Sequence, residues 1–162
     1  MSEMEKFKHK FFGWMEADAR RWVNADGSSG GIVATSAQIH LSAKVALTGE
    51  VGPYASIGLR ASIGDGASVG KDDWWITVGP QGSRRAMLTA VASKYLGLRW
   101  YVGCECKITS DQFRDRIAKT HGKGHHADDY LATIAYVESH PGFARWQSYT
   151  QEDNNDRNHV EP

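Results

Sequence analysis

Residues 31–70 read GIVATSAQIH LSAKVALTGE VGPYASIGLR ASIGDGASVG, and this stretch decides the fold. Val33, Ile39, Val45, Val51, Ile57, Ile63 and Val69 recur at a strict spacing of six. Four residues after each of the first six stands a small residue: Ala37, Ala43, Gly49, Ala55, Ala61 and Ala67. A helix repeats about every 3.6 residues and a strand roughly every two, so neither explains this register. Stacked repeats do, because each one buries its aliphatic side chain against the next. The small residue relieves crowding where the chain turns a corner.

The pattern resembles the hexapeptide-repeat family over roughly residues 31–73. The residue after each aliphatic position is Ala34, His40, Ala46, Gly52, Gly58, Gly64 and Gly70, so His40 is the main departure. The resemblance implies a short left-handed parallel β-helix with three hexads per triangular coil. Seven hexads make just over two coils, and the open ends of so short a stack need covering.

Outside the hexads the sequence predicts three further segments. Residues 2–24 place Met4, Phe7, Phe11, Trp14 or Met15, and Trp22 near helical spacing, which predicts an amphipathic helix. That helix would cap the stack or dock into a partner groove. Asn24 to Gly31 predicts a linker or tight turn, giving a first unit over residues 1–27 and a hexad unit over 28–73. Residues 74–147 predict an α+β domain with strands at Trp75–Val78, Ala86–Val91 and Leu98–Val102. A helix follows the Thr109–Gln112 capping box, and a second, from Ala127, ends before Pro141-Gly142. Residues 148–162 are polar and predict a disordered tail.

Composition narrows the functional classes. Nineteen basic and nineteen acidic side chains leave no net charge, which gives no signal for nucleic acid or an anionic membrane. Two cysteines cannot build a disulfide framework and fit a reducing compartment. With no signal-peptide pattern and no long apolar run, a cytoplasmic protein is expected.

Several residue groups could carry chemistry. Leu41, Leu47 and Leu59 fall on outward positions of the hexads, Leu41 and Leu59 one full coil apart. They predict an oligomer interface or a face covered by the N-terminal helix. The loop Gly79-Pro80-Gln81-Gly82-Ser83-Arg84-Arg85 offers Gln81, Ser83, Arg84 and Arg85 to an anion or an acidic partner. Lys123, His125 and His126 form a second cationic cluster with His121, and the chain could bring it beside that loop. Cys104, Cys106, His121 and His125 are weaker candidates for a zinc site, since C-x-C is tighter than the usual knuckle. No cofactor is expected.

The hexapeptide-repeat resemblance also implies acyltransferases that use acetyl-CoA and a histidine base. His40 is the histidine within the hexads, and no inserted loop stands beside it to form an acceptor pocket. The family also implies three-fold self-association, so a structural trimerisation module is a further alternative. A second resemblance is to small accessory proteins of phages and prophages. It is carried by Val78-Gly79-Pro80-Gln81-Gly82-Ser83-Arg84, by Gly103-Cys104 and by Thr120-His121-Gly122. It implies a non-enzymatic inhibitor or sequestering protein, such as an anti-CRISPR-like inhibitor of host defence in the host cytoplasm. Its partner would be a protein.

Overall fold

The computed structural model describes residues 5–102 and 105–157. It begins with strands where the sequence predicts a helix. β1 (Phe7–Phe11) and β2 (Met15–Val23) form an antiparallel hairpin in which Lys8 faces Asp18 and Lys10 faces Glu16. These opposite charges lie on the exposed side of the pair, with Lys8 Nζ 2.7 Å from Asp18. Phe11 and Ala19 are buried on the other side. Opposite charges facing each other across a strand pair each contribute roughly 0.2–1 kcal/mol. The turn is left-handed at Phe12 (φ 56°) and Gly13 (φ 81°).

β3 (Ser29–Ala34) pairs antiparallel with β2 and then leads into the hexads. These contribute β4 (Gln38–Ile39), β5 (Lys44–Val45), β6 (Glu50–Val51), β7 (Ser56–Ile57), β8 (Ser62–Ile63) and β9 (Ser68–Val69). β4, β5 and β6 each pair in parallel with the strand eighteen positions later, as Gln38↔Ser56, Lys44↔Ser62 and Glu50↔Ser68. Val33, Val45, Val51, Ile57, Ile63 and Val69 are buried between them with Ala43, Ala55 and Ala67. At the corners, the hydroxyls of Ser36, Ser42 and Thr48 accept hydrogen bonds from the N–H groups of Tyr54, Arg60 and Gly66, again eighteen residues on.

The expected architecture, an N-terminal helix laid on a left-handed β-helix, is therefore corrected. Among the described residues the molecule is mostly β, begins with a strand at Phe7 in place of the helix, and closes no solenoid. Its hexad strands belong to three sheets: β4-β7, β5-β8, and a five-stranded sheet β1-β2-β3-β6-β9 that carries the hairpin.

Side chains finish the ends of the hexad stack. The Asn24 amide accepts from Val45 N (2.9 Å) and donates to Val45 O (3.2 Å), standing in for a missing rung. Trp22 Nε1 donates to Ala43 O at 3.2 Å. The segment read as a linker is thus anchored in the core, with Asn24 buried and Gly30 and Gly31 inside β3. A Cβ at Gly31 would collide with Gly49 O.

The other end is covered by an antiparallel meander of β10 (Trp74–Gln81), β11 (Ala86–Ser93), β12 (Gly97–Val102) and β13 (Glu105–Ile108). Three of these strands are expected from sequence; β13 is an addition. Trp75, Val91 and Tyr101 pack on the hexad core from one face of this sheet. Leu88, Ala90 and Trp100 point the other way, into a second core under the helices. Just after β8 the open N–H of Gly64 donates to Thr89 Oγ1 (3.1 Å), and on β8 the open carbonyl of Ser62 accepts from Thr77 Oγ1 (2.5 Å).

Three helices follow. α1 (Ser110–His121) begins with the expected Thr109–Gln112 capping box, and α2 is His125–Glu138. α3 (Pro141–Arg157) starts at the Pro-Gly pair read as a stop and includes residues assigned to a disordered tail. Proline is well placed in a first helical turn, where its missing N–H has no partner to lose. Gly142 lets α3 lie close to Trp74, and Trp146 Nε1 donates to Asp72 O at 3.0 Å. No helix among the described residues is long and apolar enough to cross a membrane.

Candidate binding groove

A groove of about 630 Å³ lies where the hairpin turn, the last hexad coil, the β11–β12 turn and α3 meet. Its construction starts at Glu50 on β6. Glu50 Oε1 accepts from Phe12 N (2.9 Å) and Oε2 lies 2.8 Å from His9 Nε2, so one carboxylate holds the hairpin turn. The Phe12 ring then lies over Gly52 and Gly70, which occupy equivalent positions in successive coils. A Cβ at Gly52 would run into that ring, so the glycines of the hexad pattern make the seat for Phe12.

With Phe12 seated, the next residues project into the groove. Trp14 meets Tyr95 of the β11–β12 turn edge to face, with ring centroids 5.5 Å apart. Both are largely open to solvent, at 54% and 67%. Tyr54 adds a third exposed ring from a hexad corner. Much of this aromatic surface stays open to solvent among the described residues.

Charge is arranged around these rings. Lys71, Lys94, Arg99 and Lys107 line the groove, with Lys94 Nζ 5.2 Å from the Tyr95 ring centre. The acids are Asp72, Asp73 and Asp153. Asp73 is half-buried and accepts from Gly70 N at 2.7 Å through Oδ2. Burial pushes its carboxyl above the ordinary carboxylate value; the Gly70 N–H and Lys94 oppose the rise, and Asp72 adds to it. Exposed aromatic rings, a cationic rim and a partly desolvated acceptor are the equipment of a ligand site.

The residues singled out from sequence lie elsewhere. Gln81 is tied to α2 through Thr133, with Nε2 2.6 Å from Thr133 Oγ1, and Gly82 abuts the Tyr130 hydroxyl. Ser83, Arg84 and Arg85 are exposed, and Arg85 adopts φ 49°. His121 stacks near Tyr130 (5.5 Å) and His126 (5.8 Å), while His125 lies 4.0 Å from His126. Tyr130 therefore brings the Gln81–Arg85 loop and the histidines into one neighbourhood. His126 Nδ1 is buried there without a hydrogen-bond partner among the described residues. Lys123 is exposed beside it.

Cys104 lies outside the described residues, as does the side chain of Cys106. Among the described residues no three His, Cys, Asp or Glu side chains cluster as metal ligands would. His40 is exposed at a hexad corner, 2.8 Å from Ser42 Oγ, and does not line the groove. Leu41, Leu47 and Leu59 are 81%, 58% and 67% exposed, so the N-terminal segment does not cover them. The groove itself escapes the sequence reading. Its one local signal is Tyr54, an aromatic among corner residues that are otherwise small or polar.

Compared with protein-family models, curated proteins and solved structures, the chain has no match in any of the three.

Proposed function

We propose that the protein is a non-enzymatic binding protein that sequesters its ligand in the aromatic groove. The observation that carries this reading is the pairing of exposed Trp14 and Tyr95 across a concavity rimmed by lysines. Solvent-exposed aromatic rings beside a hairpin turn that the half-buried Glu50 carboxylate holds through Phe12 N favour a preformed recognition surface over a loop that happens to be apolar. The working surface is then the groove, and the Arg84-Arg85 loop is secondary to it. A setting in host defence rests on the resemblance to phage accessory proteins.

The test is to purify wild-type protein and the Trp14→Ala/Tyr95→Ala double variant from the same cells and compare what each retains. Both side chains are exposed, so the variant should melt close to wild type. A species held in stoichiometric amount and unaltered by wild type, and absent from the variant, is the expected result. Equal retention by both proteins, or release of a chemically altered species, would contradict the proposal.

A further inference from the structure

We infer that the ligand of the groove is a mononucleotide whose base carries N–H donors, as guanine does; this inference rests on the binding reading above. Three features of the groove select the three parts of such a molecule. Trp14 and Tyr95 present π-faces and edges to a planar ring, and base–aromatic stacking tolerates many ring types. Lys71, Lys94 and Lys107 are exposed cations at the rim, where a phosphate would remain partly solvated.

Asp73 supplies the third feature. Its Oδ2 is committed to Gly70 N, and its Oδ1 makes no hydrogen bond among the described residues. A half-buried carboxylate with a free oxygen beside exposed rings is an acceptor for adjacent ring N–H and amino groups. Inorganic phosphate alone would leave the rings and Asp73 unused. An uncharged aromatic would leave the lysines unused. The groove's volume, about 630 Å³, lies within the range of roughly 300–1,000 Å³ typical of small-molecule sites.

The experiment is calorimetric titration of the full chain with GMP, UMP, guanosine and inorganic phosphate, repeated for Trp14→Ala, Tyr95→Ala, Lys94→Ala and Asp73→Asn. GMP should bind, guanosine about tenfold more weakly, and phosphate without measurable heat. Trp14→Ala and Tyr95→Ala should each weaken GMP about tenfold. Lys94→Ala should flatten the salt dependence of GMP binding while leaving guanosine unchanged. Asp73→Asn should erase the preference for GMP over a uridine nucleotide.

Guanosine binding as tightly as GMP would overturn the nucleotide assignment while the groove stands. So would an absence of heat with every probe, if retention from cells still depends on Trp14 and Tyr95. Absence of heat together with retention independent of those two residues would overturn both readings.

Discussion

The two ends of the hexad stack face the same problem and solve it with different chemistry. At the N-terminal end, a single buried amide, Asn24, bonds both the N–H and the carbonyl of Val45. At the other end, two threonine hydroxyls on a packed sheet bond Gly64 and Ser62. One end is closed by a local loop, the other by a layer of structure with its own core behind it. An amide that replaces a rung must be held in one orientation, and the tight turn does this: Asn24 N donates to Ser28 O and Gly27 N donates to Asn24 O. The β11–β12 turn of the covering sheet, together with the hairpin turn, the last hexad coil and α3, lines the groove.

Breaking the amide should have the largest effect. Asn24→Ala leaves the Val45 N–H and carbonyl buried without partners and should cost about 3 kcal/mol, read by urea denaturation. At the opposite end, Thr89→Val keeps the shape but strips the acceptor from Gly64 N. It should cost about 1–2 kcal/mol, less than Asn24→Ala because Thr77 still serves Ser62. The reverse order would show that the sheet, and not the amide, holds the stack together.

Asp73 sharpens the comparison through pH. Its folded-state value lies above the unfolded 3.8, so the native state binds the proton more tightly. That contribution is fully present below 3.8 and is lost as pH rises through the raised folded value. Asp73→Asn should therefore flatten the stability profile over that window when unfolding is followed at a series of acid pH values. The smallest effect is expected at the hairpin's exposed face. Lys8→Ala removes a solvent-exposed pair with Asp18 and should leave the melting temperature within error of wild type.

The sequence makes the hexad register readable because each rung is local: an inward aliphatic residue, a turn, and a small residue at the corner. The hairpin is ambiguous for a physical reason. Phe7, Phe11 and Met15 are four apart, which returns to one face of a helix and also stays on one face of a strand. The cross-strand charges Lys8–Asp18 and Lys10–Glu16 break the tie, but only once the turn at Phe12-Gly13 is known. Pro141-Gly142 is ambiguous in a similar way, since proline both blocks a helix and begins one. The groove had no comparable local signal. Phe12, Tyr54, Asp73, Tyr95 and Asp153 come from five separate parts of the chain, and no spacing rule joins them.

Which surface binds, the groove or the Arg84-Arg85 loop, is decided by comparing the species retained from cells by wild type, by Trp14→Ala/Tyr95→Ala and by Arg84→Ala/Arg85→Ala, all purified at the same salt concentration. If the groove binds, the aromatic double variant loses the bound species and the arginine double variant keeps it. Loss from the arginine variant, with retention by the aromatic one, would place binding at the loop.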